Sequence, residues 1–219
     1  MSAGEEQGRL LPVLEGLVKV RPHAVIAVDT YKAETARAAL KAGAEIVNDV
    51  SGFMWDPAIA EVCAEFGAGV VLGHSRGAPD EWSEQEELDA DALIKMVRDG
   101  LAASFAAATA FGIPPNSVVL DPGYGFGKRY QENYALLGRQ AELLELGRPL
   151  VAGLSRKSFL GRALAELYGG KDAPVEAREN ASLAAMTAAI LNGASIVRVH
   201  TVRAAVEAAR IADAICGAE

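Results

Sequence analysis

Two strand-ending loops carry most of the side chains in this chain that could do chemistry. The first reads Leu120-Asp121-Pro122-Gly123-Tyr124-Gly125-Phe126-Gly127-Lys128, the second Gly153-Leu154-Ser155-Arg156-Lys157-Ser158-Phe159. Each begins where an apolar run stops, Ser117 to Leu120 in one case and Pro149 to Ala152 in the other. In α/β architectures ligands gather at strand exits. A carboxylate at one mouth and a Ser-Arg-Lys-Ser cluster at another suit a hydrogen-bonding heterocycle held beside an anion. An ionised Asp121 can accept two donors from a guanidine-like edge, although an Asp in Asp-Pro-Gly also starts turns. Lys157 aimed inward would donate to a ring carbonyl or nitrogen, and Ser158 could hydrogen-bond a second substrate. A solvated basic turn is the competing reading of that cluster.

The remaining strand exits add Asp29, Asn48 with Asp49, His74 with Arg76, and Arg198 with His200. Asp and Asn at such places also serve as helix caps. Six exits that all deliver polar groups are harder to dismiss, because one face of a barrel collects them in a common space. Asp29 and Asn48 offer acceptor and mixed edges for the same heterocycle. Arg198-Val199-His200 puts two basic side chains on one strand face, since residues two apart share it. That pair could clamp phosphate or pyrophosphate, or the histidine could simply pack at the mouth. For His74 a structural hydrogen bond is expected, for Arg76 an exposed salt bridge, and for Phe53, Met54 and Trp55 core or loop packing. The glycine-rich loop lacks the Gly-Lys-Ser/Thr ending of a nucleotide P-loop.

These residues need elements to position them. Apolar strand candidates run over Val25–Val28, Ile46–Val50, Gly69–Leu72, Ser117–Leu120, Pro149–Ala152 and Ile196–Val199. Helical patterns cover Glu5–Leu17, Ala33–Ala42, Pro57–Phe66, Ala90–Phe111, Tyr134–Leu146, Glu179–Asn192 and about 202–216. Gly43, Gly67, Gly112, Gly147 and Gly193 follow five helix ends as C-cap glycines do. The strands are continuous apolar runs, as expected when both faces are covered. The alternation predicts parallel βα units with right-handed crossovers. It also predicts one domain over 1–219, with Asp80 to Asp91 as a solvated acidic loop anchored by Trp82. Six strands fit either a doubly wound sheet or an eight-fold barrel short of its opening units, since a complete barrel takes about 250 residues.

Composition narrows the function classes. With 219 residues and 51% hydrophobic content, the chain can bury about 70% of its unfolded surface and is not a disordered polymer. No apolar run approaches the ~18 residues of a membrane span. The N-terminal residues lack the pattern of a signal peptide, so a cytoplasmic location is expected. A net charge of −8 argues against a nucleic-acid surface. Cys63 and Cys216 are expected as buried reduced thiols. Three histidines leave no material for a His-rich metal cage, and no protein metal ligand is assigned.

Taken together, Ala27-Val28-Asp29-Thr30-Tyr31, Ile46-Val47-Asn48-Asp49-Val50-Ser51-Gly52, the two loops above and Arg198-Val199-His200 resemble dihydropteroate synthase in order and approximate spacing. The resemblance covers nearly the whole chain. It implies a TIM (β/α)8-type barrel, here incomplete, with six parallel strands and helices outside. It also implies a transferase of folate biosynthesis and a sulfonamide target. The implied reaction condenses 6-hydroxymethyl-7,8-dihydropterin pyrophosphate with p-aminobenzoate and releases pyrophosphate with Mg²⁺, the ion held mainly through that pyrophosphate. Asp29, Asn48, Asp121, Phe126 and Lys157 would hold the pterin, and Ser158 would help place p-aminobenzoate. Arg198 and His200 would bind the pyrophosphate, with Lys157, Arg198 and His200 as the catalytic set. A homodimer is the implied assembly.

The chain departs from the family pattern in places. The family's first two strands and their loops have no counterpart, which suggests a start assigned at an internal codon. Two open strand edges would then leave this chain weakly active or inactive. Thr201 replaces the Asp of Arg-Val-His-Asp, and Gly73 replaces a Met that packs on the pterin. A non-catalytic pterin-binding paralogue is the alternative those changes favour. A methyltetrahydrofolate-type methyltransferase domain is another, against which Ser155 to Ser158 argue.

Overall fold

Short β-branched and leucine-rich runs form the strands, and Ala/Leu/Glu-rich segments between them form the helices. The computed structural model describes residues 1–218. Its strands are β1 (Ala27–Asp29), β2 (Ile46–Asp49), β3 (Gly69–Gly73), β4 (Val118–Asp121), β5 (Leu150–Ala152) and β6 (Ala194–Val197). They belong to one parallel sheet in chain order, with β1 and β6 at its two ends, so the sheet is open. The helices are α1 (Ala3–Val20), α2 (Ala33–Lys41), α3 (Ala58–Phe66), α4 (Ala90–Ala110), α5 (Tyr130–Gly138), α6 (Ser158–Ala163), α7 (Glu179–Leu191) and α8 (Val202–Cys216). This is the α/β alternation expected of an incomplete barrel. By internal contacts the chain divides into two compact units, residues 1–74 with 100–120, and residues 75–99 with 121–219.

In the first unit β1, β2 and β3 pair in register, Asp29 opposite Asn48 and Val47 opposite Val70. Val28, Val47, Val70, Leu72 and Leu120 form the buried strand contribution, and Ala36, Ala39, Ile59 and Cys63 the helical one. Ser2 caps α1 in a capping box: its Oγ accepts the Glu5 N–H, and Glu5 accepts the Ser2 N–H. Leu14 is the side chain that α1 buries, about 1.5–3 kcal/mol of apolar transfer. Gly67 closes α3 with φ +62, the left-handed C-cap expected from the sequence. Gly73 lies so close to β2's exit that an added Cβ would fall 2.7 Å from the Val50 carbonyl oxygen. A side chain at 73 therefore needs the backbone to shift, which is a local reason for glycine there.

In the second unit β5 pairs with β6, Ala152 opposite Val197, and α7 packs on α8. Tyr124, Leu136, Leu143, Phe159, Met186 and Ala189 are buried. The Tyr124 hydroxyl donates to Gln140 Oε1 at 2.7 Å, and Gln140 Nε2 donates to the Ala189 carbonyl at 3.0 Å. This chain of bonds satisfies two polar side chains that would otherwise be costly to bury.

Several expectations need correction. The helix expected over Tyr134–Leu146 begins earlier, as α5, and continues as a 3₁₀ segment Gln140–Leu146. β6 ends at Val197, so Arg198 and His200 lie beyond the strand rather than on one of its faces. β1 and β4 each end one residue later than expected, on Asp29 and Asp121, which remain at the strand exits. Cys63 is buried, and burial pushes its thiol up to about 12, but Cys216 is exposed. Met54 is exposed as well, while Phe53 is buried and Trp55 meets Tyr31 edge-on at 5.0 Å. Arg76 is not an exposed ion pair: it meets Glu132 at 3.2 Å with side chains 12% and 1% exposed.

Candidate functional site

β4 delivers Asp121 to the start of the glycine loop. Val118 and Leu120 bury their side chains, and Asp121 itself is buried. Its Oδ1 accepts the Gly123 N–H at 2.7 Å, a turn made possible by Gly123 at φ +71. Burial pushes the Asp121 carboxyl above the usual carboxylate range. The Gly123 N–H and then the charges of Arg198, Lys157 and Lys128 act in the opposite direction. A buried acceptor among three cations is poised for a ligand that brings its own donors.

The loop after Asp121 alternates left-handed glycines, Gly123, Gly125 and Gly127. At Gly127 a Cβ would collide with the Arg76 backbone carbonyl and with Trp82. Gly127→Ala combines that collision with φ +70, which costs an L-residue about 1–2 kcal/mol. The expected result is a drop in melting temperature together with weakened ligand binding, read by thermal unfolding and calorimetry; an unchanged melting temperature would contradict the close approach.

Two side chains of this loop meet the second loop. The Phe126 ring lies 4.0 Å from Lys157 Nζ, a cation–π contact, and Trp82 packs edge-on against Phe126 at 5.4 Å. Lys128, unassigned by the sequence reading, is only 7% exposed. Its Nζ donates to the Gly123 carbonyl at 2.8 Å and to the Phe126 carbonyl at 3.3 Å. Burial draws the ammonium down to about 7; Asp121 and Glu132 favour its charge, while Lys157 and Arg76 oppose it. Asn133 completes the scaffold by accepting the Gly125 N–H at 2.7 Å and donating to the Arg129 carbonyl at 2.7 Å.

The Ser-Arg-Lys-Ser loop follows β5. Arg156 is in the left-handed region at φ +60, unusual for a non-glycine residue. Its N–H donates to Ser182 Oγ at 2.9 Å and its carbonyl accepts Arg178 Nη1 at 3.0 Å, so α7 and the turn before it hold the loop. Ser158 opens α6 and is exposed, lining a hollow of ≈ 290 Å³ with Gly125, Lys128 and Phe159. Beyond β6, Arg198 faces Gly153, where an added Cβ would come within 3.1 Å of Nη2. His200 turns to Ser155, with Nδ1 2.9 Å from its Oγ. Asp121, Phe126, Lys157 and Arg198 are thus brought together, and His200 is held through Ser155 beside them.

In the first unit, Asn48 Nδ2 donates to Asp29 Oδ1 at 2.5 Å across the β1–β2 pair. Asn48 is buried and Asp29 is exposed beside a hollow of ≈ 270 Å³ lined by Thr30, Tyr31, Lys32 and Val50. Asp49 is used differently. Its carboxylate accepts the N–H groups of Ser51 and Phe53, each at 2.8 Å, and so shapes a turn in which Phe53 has φ +73. His74 is buried against Gly100, where a Cβ would meet its ring. Among the described residues no group of three His, Cys, Asp or Glu side chains could hold a metal ion.

The chain is similar to several known proteins. The family model described as pterin binding enzyme matches residues 1–200. The dihydropteroate synthase of Mycobacterium leprae is 43% identical over 209 residues, 95% of this chain and 72% of that protein. A Yersinia pestis dihydropteroate synthase solved as a sulfonamide drug complex superposes with TM-score 0.91 at 34% identity, covering 100% of this chain and 76% of that one. The Xanthomonas albilineans dihydropteroate synthase in complex with 7,8-dihydropteroate gives TM-score 0.85 at 35% identity, over 100% and 79% of the two chains.

Proposed function

The chain belongs to the dihydropteroate synthase family, pterin-binding transferases of folate biosynthesis, and we propose that its own reaction joins 6-hydroxymethyl-7,8-dihydropterin pyrophosphate to p-aminobenzoate. The observation that carries this reading is the buried Asp121 carboxylate set among Lys157, Lys128 and Arg198. A carboxylate so placed matches the 2-amino and N3 donors of a pterin, and the Lys157 ammonium suits a ring acceptor on the same heterocycle. Phe126, already under the Lys157 ammonium, offers a face for the ring. By the family pattern Asp29 and Asn48 serve the pterin as well. The reading treats 1–219 as one pterin-binding domain, working in the cytoplasm as a homodimer. Among the described residues no helix is long and apolar enough to cross a membrane.

The reaction breaks the bond between the pterin methylene carbon and the pyrophosphate oxygen and forms a carbon–nitrogen bond to the arylamine, which loses a proton. Pyrophosphate leaves with the bonding electron pair. Arg198 and His200 stabilise that leaving anion by charge and hydrogen bonding, and Ser158 places the p-aminobenzoate carboxylate at the mouth of the hollow it lines. Asp121 stabilises positive charge that develops on the pterin as the leaving group departs. No protein nucleophile is required, since positioning and electrostatics suffice. By the family pattern, magnesium would be held mainly through the substrate pyrophosphate and would supply charge to the leaving group. As a family member the chain would be a sulfonamide target, and the Yersinia pestis dihydropteroate synthase was solved with such a drug.

Calorimetry tests the reading in order: first the dihydropterin pyrophosphate, then p-aminobenzoate. A ternary complex is expected. Pterin binding with no heat from p-aminobenzoate would instead mark a non-catalytic pterin-binding member, the outcome that Thr201 in place of Asp favours. Failure to bind any pterin would remove the proposal.

A further inference from the structure

We propose that Lys128 is a positioning residue for the pterin, locking the Gly123 to Gly127 loop so that Asp121 and Phe126 keep the geometry the ring needs. The inference rests on the pterin-binding reading above.

Gly123 is held through both its N–H and its carbonyl. Asp121 accepts its N–H at 2.7 Å, and Lys128 Nζ donates to its carbonyl at 2.8 Å. The same carbonyl accepts the Phe126 N–H at 3.1 Å, so both of its lone pairs are used. Phe126 is held likewise: its carbonyl accepts Lys128 Nζ at 3.3 Å and the Arg76 N–H at 3.3 Å. A loop of alternating left-handed glycines has no ladder of its own and loses much conformational entropy on ordering. Without the ammonium, the Gly123 carbonyl would lose a charge-assisted partner in a buried setting, and the loop would gain alternative conformations.

The position of this brace distinguishes it from general packing. It ties the two residues that orient the carboxylate and the ring, and its charge faces Asp121. The charged groups facing Lys128 are Asp121 at the end of β4, Glu132 on α5, Lys157 after β5 and Arg76 after β3. Arg198, beyond β6, faces Asp121 in turn. Burial lowers the ammonium to about 7, so its charge is present below that value and lost as pH rises through it. Loss of that charge weakens both carbonyl ties and withdraws a cation from Asp121.

The test uses the whole chain with 6-hydroxymethyl-7,8-dihydropterin as the calorimetric probe, on either side of about pH 7. The unmodified chain is expected to lose pterin affinity as pH rises through that value. Lys128→Met is expected to weaken binding by about tenfold at the lower pH, with the pH step flattened and its circular dichroism retained. Should Lys128→Met not fold, Lys128→Gln, which keeps a donor without the charge, is the second variant and is expected to bind pterin less tightly than the unmodified chain at the lower pH; a folded Lys128→Gln with the unmodified chain's affinity overturns the positioning role. Equal affinity and an equal pH profile in Lys128→Met overturn it too, and leave the pterin reading standing. Absence of pterin binding by the unmodified chain removes that reading, and the positioning role with it.

Discussion

Asp121→Asn is expected to weaken pterin binding by about 100-fold while leaving the folded state at least as stable at neutral pH. The binding loss follows from removing the charge that accepts two ligand donors. Hydrogen bonds to a charged group are worth about 1.5–3 kcal/mol each, so losing about 3 kcal/mol corresponds to roughly two decades. The stability effect has the opposite sign. Burial raises the folded-state carboxyl above its ordinary 3.8, so the folded chain binds this proton more tightly than the unfolded chain does. Stability contributed by the group is therefore full at low pH and declines as pH climbs from that ordinary value through the raised one. An amide carries no such penalty, and its oxygen can still accept the Gly123 N–H. Calorimetry and thermal unfolding of the same variant check both parts. An Asn variant that bound pterin as tightly as the parent would remove Asp121 from the site.

Lys157→Met should produce the second largest effect, with pterin affinity falling by roughly 10- to 100-fold and no ternary complex with p-aminobenzoate. Two interactions disappear together. One is the cation 4.0 Å from the Phe126 ring, worth about 0.5–2 kcal/mol. The other is the positive charge near Asp121 that favours its ionised form. Melting temperature should change little, because Lys157 is half-buried on a loop whose backbone is held independently by Ser182 and Arg178. A large fall in melting temperature with intact pterin affinity would assign Lys157 to the fold instead.

Much of this site was legible in the residues themselves. Asp121 after an apolar run and before Pro122-Gly123 marks a strand exit, and the structure puts it there with its side chain buried. The alternation of apolar runs with Ala-rich segments foretold parallel strands, while their chain order came with the barrel that the family resemblance implied. These features depend on local chemistry: strand propensity, turn residues and capping glycines act over a few residues. Arg76 shows where such reasoning stops. An arginine in a Ser-Arg-Gly turn looks solvated, yet its partner Glu132 lies 56 positions along the chain and is buried. No local pattern encodes a pair at that separation.

Lys128 illustrates the same boundary within the glycine loop after β4. Residue order alone dictates that a glycine-rich turn follows an acidic strand end, because glycines at 123, 125 and 127 admit left-handed backbone. That the lysine ending the turn folds back onto the Gly123 and Phe126 carbonyls instead of reaching solvent follows from the packed fold. A lysine side chain is long enough for either arrangement. The choice depends on burial and on the charges of Asp121, Glu132, Lys157 and Arg76, which four separate segments bring to it.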